Sequence, residues 1–206
     1  MKKVIFVTVL FFTSLNLFAQ SEHSAKEKRM SYGFNLGVNY SNLQNKEMPT
    51  NNASLSNNLG LRLGILADYK VSNSLSISPK AEMSFNNSNV NFNNIDGSQS
   101  SYEVLPISLD FMAHVIFKKN GEKLNPYFFF GPNVKIPISK KNDNTTTYST
   151  SSDFAIDFGI GIDKPFTHFK FSPELRYSFG LMNVNQHPLI QSLNFHNISL
   201  VFNFLG

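Results

Sequence analysis

The residues of this sequence that could do chemistry are its five histidines and a set of acidic and basic side chains at alternating positions. His114 is the candidate for acid–base catalysis, because Asp110 precedes it by four residues and would share its face on a strand. Along one strand, however, the two side chains lie about 13 Å apart and cannot form a hydrogen bond. A partner from a neighbouring strand could still reach either of them. We interpret His114 as a structural residue of a polar interior, and a hydrolase or acyltransferase at the rim of the fold is the alternative.

Metal, thiol and cofactor chemistry have no support in the sequence. There is no Cys, and no two His residues have the spacing of metal ligands. The dipeptides at positions 96–97, 120–121 and 143–144 are typical of turns. Lys118, Lys119 and Lys123 surround the second of these turns, where they could meet lipid phosphates or a partner, but we favour the interpretation as a solvated turn. We therefore predict no metal, no cofactor and no catalytic site.

Eleven charged residues share the polar face of alternating segments, and opposite signs are nearly balanced. Enclosed charges can pair, whereas an unpaired buried charge is costly. Glu174 and Arg176 lie two positions apart, about 7 Å by the rise of a strand. We predict a structural network in the interior that contains Arg62, Lys80, Glu82, Asp110, Lys135, Asp157, Glu174 and Arg176, with Asp68, Asp163 and Lys170 on the same face.

Eight segments must position these side chains, because eight stretches alternate apolar and polar residues with a period of two. The clearest is residues 154–163, in which Phe and Ile occupy one face and Ala, Asp and Gly the other. Only a strand separates residues in this way. Gly131 and Pro132 suggest a bulge or bend within the fifth stretch. The predicted strands are residues 32–41, 59–69, 75–85, 102–117, 126–139, 154–163, 169–182 and 195–204.

Connector lengths alternate as regularly as the strands do. Long connectors rich in Asn, Ser and Thr follow the first, third, fifth and seventh strands, whereas those after the second, fourth and sixth are short. This pattern is typical of a barrel in the outer membrane. We predict an all-β fold, an eight-stranded antiparallel transmembrane β-barrel. The long connectors are residues 42–58, 86–101, 140–153 and 183–194.

A soluble barrel with reversed faces is the alternative, and side-chain volume and charge argue against it. The apolar face is rich in Phe, Leu and Ile, and the lumen of an eight-stranded barrel is too narrow to hold it. Basic side chains on the lipid face would each cost about 2–4 kcal/mol near the midplane. Tyrosines near the strand ends fit an interfacial girdle. We therefore expect the polar face to fill the lumen, so that no open pore remains.

The first residues are typical of an export signal. Lys2 and Lys3 precede a mostly apolar run, and Ala19 offers a cleavage site. A membrane-spanning anchor is the alternative, but the run is short for it. We expect a signal peptide at residues 1–19, a flexible polar lead-in at 20–31 and the barrel domain at 32–206. The formal charge is only +4 and no basic stripe is present, so we predict no nucleic-acid binding.

Several local motifs together resemble the PorT family of outer-membrane β-barrels. They are GFNLG at 33–37, YEVLP at 102–106, NPY at 125–127 with FGP at 130–132, GIGID at 159–163 and FKFSPELRYSFGL at 169–181. The last motif is the most specific. The namesake of the family belongs to the type IX secretion apparatus. The resemblance implies a barrel of the cell envelope and a role in protein secretion or envelope assembly.

Two function hypotheses follow. The first is an outer-membrane barrel without catalytic activity, accessory to type IX secretion or envelope assembly. The second is a surface-exposed binding or adhesion barrel that acts through its long loops. The expected partners are outer-membrane lipid, secretion-system components and the barrel-insertion machinery. A terminal aromatic strand suits that machinery, although Leu205 and Gly206 extend beyond the last Phe.

Overall fold

The computed structural model describes residues 29–45, 53–93, 97–119, 121, 124–138, 151–184 and 192–206. The predicted signal peptide, most of the lead-in, His23, His187, Lys123 and parts of the long connectors lie outside the described residues. Within them the chain forms eleven strands: β1 (Met30–Asn45), β2 (Ala53–Ser56), β3 (Leu59–Lys70), β4 (Leu75–Phe85), β5 (Ser88–Asn93), β6 (Gln99–Val104), β7 (Ile107–Lys118), β8 (Asn125–Pro137), β9 (Asp153–Pro165), β10 (Lys170–Gly180) and β11 (Leu193–Leu205). Among the described residues, no helix is long and apolar enough to cross a membrane.

Eight of these strands close into a barrel in the order β1, β11, β10, β9, β8, β7, β4 and β3, and β3 pairs with β1 again. Every pairing in the barrel is antiparallel. Leu36 on β1, for example, lies opposite Phe202 on β11 and opposite Leu63 on β3. The predicted fold class, an eight-stranded antiparallel barrel, is confirmed.

Burial in the barrel is reversed relative to a soluble protein. On β9, Ile160 is 62% exposed whereas its near neighbour Asp157 is fully buried. On β10, Leu175 is 51% exposed and Arg176 fully buried. Apolar side chains thus form the outer wall and polar ones the lumen, which confirms the predicted orientation of the two faces and suits a lipid environment.

A second, three-stranded sheet in the order β2, β5 and β6 lies outside the barrel. It corrects two predictions. The connectors 42–58 and 86–101 are not plain loops, because they contain β2, β5 and the start of β6. The predicted strand at 102–117 is also wrong as one element, since it breaks at Leu105, whose φ is 48°, and Pro106. Leu105 is fully buried, and Pro106 cannot donate to a ladder, so the chain turns there from one sheet to the other.

Of the two features predicted at Gly131 and Pro132, a bulge or a bend, the bulge is absent from β8. The pairing of β7 with β8 stops at these residues and resumes in the same register, with Asn133 opposite Met112 before the gap and Phe130 opposite Val115 after it. Because Pro132 lacks an N–H, hydrogen bonds are missing there, but no extra residue is inserted.

Candidate functional site

Six of the eight predicted network residues form one chain of ion pairs inside the barrel. Arg62 lies 2.6 Å from Asp110 and 3.0 Å from Glu82, and it donates further hydrogen bonds to Ser84 and Ser199. Acidic and basic groups alternate along the chain, so each buried charge has an opposite neighbour, which is the condition for tolerating it. The order is Asp110, Arg62, Glu82, Arg176, Glu174 and Lys80.

Two of these pairs cross the full width of the barrel. β4 and β10 lie opposite each other, with three strands between them in either direction. Arg176 on β10 lies 3.0 Å from Glu82 on β4, and Lys80 on β4 lies 2.8 Å from Glu174 on β10. All four side chains are at most 4% exposed. The bridges therefore occupy the middle of the lumen formed by the described strands.

Lys135 is buried but lies apart from this chain of ion pairs. Its ammonium is 3.6 Å from Asp153, the residue opposite it on β9, and 5.0 Å from the centre of the Phe195 ring. Lys135 is therefore held by a carboxylate and an aromatic face near the end of the barrel that carries the long connectors.

Asp157 contacts the histidine that the sequence singled out. His114 Nε2 lies 3.1 Å from the Asp157 carboxylate, to which Asn133 and Ser178 also donate hydrogen bonds. The partner of His114 thus comes from another strand, whereas Asp110 pairs with Arg62. In a catalytic triad the serine would donate to the histidine, but here it donates to the carboxylate. The arrangement is that of a buried hydrogen-bonded cluster.

A smaller ring of charges closes the end of the barrel that carries the short turns. Lys118 lies 2.8 Å from Asp68 and 3.1 Å from Asp163. Lys170 lies 2.8 Å and 3.3 Å from the same two carboxylates. The ring joins β3, β7, β9 and β10. Lys118, which the sequence placed in a basic turn, therefore belongs to the lumen, whereas Lys119 beside it is exposed.

The opposite end is closed by an apolar cluster under the three-stranded sheet. Its members come from the sheet, from the ends of β1 and β11, and from the segment after β10. We call this cluster together with β2, β5 and β6 the cap. The buried residues are Leu43, Val90, Val104, Leu105, Val184, Leu193 and Phe195, and Leu55 and Phe92 pack against them.

Two lumen residues that pair with the network were not predicted from the sequence. Tyr127 donates to Glu174 at 3.0 Å, and Asp153 pairs with Lys135. Asn35, on the predicted polar face of the first strand, donates to Glu82 at 2.8 Å. Tyr127 begins an unbroken aromatic run, which carries no alternation to show its face. Gly161 could have indicated it, because any side chain at that position would collide with the Tyr127 ring.

Comparison with known proteins identifies the family of this chain. The family described as "Outer membrane protein beta-barrel domain" matches residues 18–186 of the chain. The protein belongs to this family. Its place is therefore the outer membrane, where long connectors face the exterior and short turns the periplasm. The cap is thus extracellular, and the ring of Asp68, Lys118, Asp163 and Lys170 is periplasmic. No curated protein sequence matches the chain.

Solved outer-membrane barrels share the fold at low sequence identity. OprG from Pseudomonas aeruginosa has a TM-score of 0.52 at 10% identity, over 85% of this chain and 91% of that one. Neisserial surface protein A has a TM-score of 0.49 at 13% identity, over 82% and 95%. Outer membrane protein W of E. coli has a TM-score of 0.47 at 15% identity, over 87% and 98%. At these identities the likeness to OprG supports the fold alone.

Within the described residues, no cluster of His, Asp or Glu could hold a metal ion.

Proposed function

We propose that this protein is a closed, non-catalytic outer-membrane barrel that binds or adheres at the cell surface through its cap. The observation that carries the proposal is the folded extracellular sheet. Its strands enclose an apolar cluster, with Val90 and Val104 fully buried. A loop that merely joins two strands needs no such core, whereas a recognition surface needs a rigid support. The cap supplies that support outside the lipid.

A closed lumen excludes the passage of solutes as the main task. The ion pairs between β4 and β10 cross the lumen, the periplasmic ring lies below them and the cap above. Planar bilayers test this directly. The protein purified from outer membranes should give no stable channel of nanosiemens size, and such a channel would contradict a filled lumen.

Absence of catalysis is supported by the position of His114. The ring is fully buried, stacks 4.8 Å from the Phe129 ring and uses Nε2 on Asp157. No substrate could reach it without opening the wall. A His114→Ala strain should keep normal lipid and peptide modification, and loss of either would revive the enzyme hypothesis.

The surface role is tested in a deletion strain complemented with three versions of the gene. Val90→Asp places a charge in the buried core of the cap, and Ser101→Asp adds the same charge at an exposed position of β6. We expect wild type and Ser101→Asp to restore attachment of cells to glass. Val90→Asp should fail to restore it at an equal level of barrel in the outer membrane. Full attachment with Val90→Asp, or normal attachment in the deletion strain, would overturn the proposal.

A role as a PorT-type accessory of type IX secretion or envelope assembly is the second candidate. The motif at residues 169–181 favours it, and that segment includes β10, which carries Glu174 and Arg176. The same strains distinguish the two roles. A secretion role predicts that deletion abolishes export of peptidases and that Val90→Asp restores it, because the cap would not be required.

A further inference from the structure

A groove lies in the outer wall of the barrel, in the half nearer the periplasm. Its volume is about 690 Å³, within the range of pockets that bind small ligands. Most of its lining is apolar and comes from the lipid-facing positions of five strands, β7 to β11. We call it the wall groove. It lies outside the lumen network and on the far side of the membrane from the cap.

The wall groove follows one row of large side chains across these five strands. Each member of the row lies directly opposite the next in the register of neighbouring strands: Phe117, Phe128, Ile160, Leu175 and Leu200. On the periplasmic side of this row, the groove is lined by Pro126 and Pro173, whose rings are smaller than the Phe and Leu side chains above them. The small prolines leave a depression beside the row, so the groove is a fixed feature of the folded wall.

The wall groove rises from the periplasmic end of the barrel towards the middle of the membrane. Phe117 lies one residue before the periplasmic end of β7, whereas Leu200 lies five residues before the periplasmic end of β11. Four spacings between strands separate the two residues, so the row is about 19 Å long. One end of the groove is therefore at the membrane surface and the other is deep in the hydrocarbon.

A positive charge marks the shallow end of the wall groove. Lys119 lines the groove, is exposed, and shares the outward face with Phe117 two residues before it. Its backbone N–H donates to the Pro126 carbonyl oxygen at 2.9 Å, which fixes the position of Lys119 at the rim. Lys118 and Glu174 also line the groove, but their side chains are paired in the lumen. Among the described lining residues, the charge presented outward is thus that of Lys119.

An apolar groove with a lysine at its surface end matches a phospholipid with a negative headgroup. The hydrocarbon end suits an acyl chain, and a lysine at the membrane surface attracts anionic lipid. We propose that the wall groove binds one anionic phospholipid of the periplasmic leaflet. The acyl chain lies along the row from Phe117 to Leu200, and the headgroup lies beside Lys119. This site is on the outer wall and does not depend on the attachment role of the cap.

Native mass spectrometry of the full protein, purified from outer membranes in detergent, tests the proposal. The probes are phosphatidylglycerol, phosphatidylcholine with the same acyl chains, and glycerol 3-phosphate, which has no acyl chain. We expect phosphatidylglycerol to bind more tightly than the other two. Lys119→Met should weaken its binding about fivefold, the effect of one lysine at an anionic lipid surface, and should leave the binding of phosphatidylcholine unchanged.

Three further variants separate the wall groove from the rest of the barrel. Pro173→Phe fills the groove and should weaken the binding of both lipids. Its control is Leu63→Phe, on the lipid face of β3 and outside the groove, which should change neither. Lys70→Met removes an exposed lysine at the periplasmic end of β3, and should leave the binding of phosphatidylglycerol unchanged.

Each other outcome overturns the proposal. Equal binding of the two lipids means that the headgroup is not recognised, and equal binding of glycerol 3-phosphate means that the acyl chain is not. Equal losses in Lys70→Met and Lys119→Met mean that the whole rim attracts anionic lipid without a defined site. Unchanged binding in Pro173→Phe, with heat-modified gels showing folded protein, means that the lipid binds elsewhere on the wall. If Pro173→Phe does not fold, the two lysine variants decide.

Discussion

The lumen and the cap bury opposite kinds of side chain, although one chain builds both. In the lumen Arg62, Glu82 and Arg176 are at most 2% exposed, and the Phe, Leu and Ile side chains of the same strands face outward. In the cap the buried side chains are those of Val90, Val104 and other apolar residues, as in a soluble domain. The two regions lie next to each other along β1 and β11.

The difference shows that the surroundings, and not the strand itself, decide which face is buried. Lipid accepts apolar side chains as readily as a protein core does, so the barrel gains nothing by enclosing them and places its polar groups where they can pair. Above the membrane, water surrounds the chain and the hydrophobic effect returns. The lumen should therefore be sensitive to lost charge partners and the cap to lost apolar volume.

The largest effect should come from breaking the chain of ion pairs. Arg176→Leu leaves Glu82 without one of its two arginines and Glu174 without one of its two cations. Removing one member of a buried ion pair costs about 3–5 kcal/mol, because the remaining charge is poorly compensated. The temperature at which the folded band disappears on heat-modified gels should fall clearly. Leu175→Ala, a neighbouring change on the lipid face, should leave that temperature nearly unchanged, and equal melting of the two variants would contradict the structural role of the network.

A charge on the outer wall should have the next largest effect. Ile160 lies one residue from the middle of β9 and is 62% exposed to the surroundings of the barrel. Ile160→Arg should reduce the free energy of unfolding in bilayers by about 2–4 kcal/mol, the cost of arginine near the midplane. Guanidinium titration in phospholipid vesicles measures it, with Ile160→Val as the control. A tolerated arginine would mean that this face is not in lipid.

Much of the barrel could be predicted from the sequence, because alternation and connector length are local features. β4 has the predicted bounds of residues 75–85, and the other barrel strands differ mainly at their ends. The cap could not be predicted in this way. Its strands have only four to six residues, too few for a clear periodicity. The turn at Leu105 does have a local signal, because the apolar residues change there from even positions, Tyr102 and Val104, to odd ones, and Pro106 follows.

The contents of the lumen could be predicted, but the pairings within it could not. Alternation assigns a residue to a face, and Glu174 and Arg176 are close enough on one strand to meet, at 3.1 Å. The contact between Arg176 and Glu82 joins residues 94 positions apart. It exists only because closure places β10 opposite β4. Asp153 was missed because it lies one residue before the predicted start of its strand.

A substitution in the apolar core of the cap should have a local effect on stability, of intermediate size. Val90→Ala removes apolar volume from a fully buried position, at a cost of about 2 kcal/mol. Because the cap lies outside the barrel, we expect faster amide exchange in β5 and β6 with no change in barrel melting. Hydrogen exchange read by mass spectrometry measures the first and heat-modified gels the second. A matching drop in barrel melting would show that the two regions unfold together.

The smallest loss of stability should come from a substitution in the periplasmic ring, although this ring is also built from charged side chains. The Lys170 side chain is 24% exposed, and both of its carboxylate partners also contact Lys118. Water screens such a pair, and the remaining lysine still serves both anions, so Lys170→Met should cost at most about 1 kcal/mol. Measured beside Arg176→Leu on the same gels, this variant separates burial from charge, because each removes one cation from β10. If Lys170→Met destabilised the barrel as much as Arg176→Leu does, the number of ion pairs, and not their distance from water, would determine the stability of the lumen.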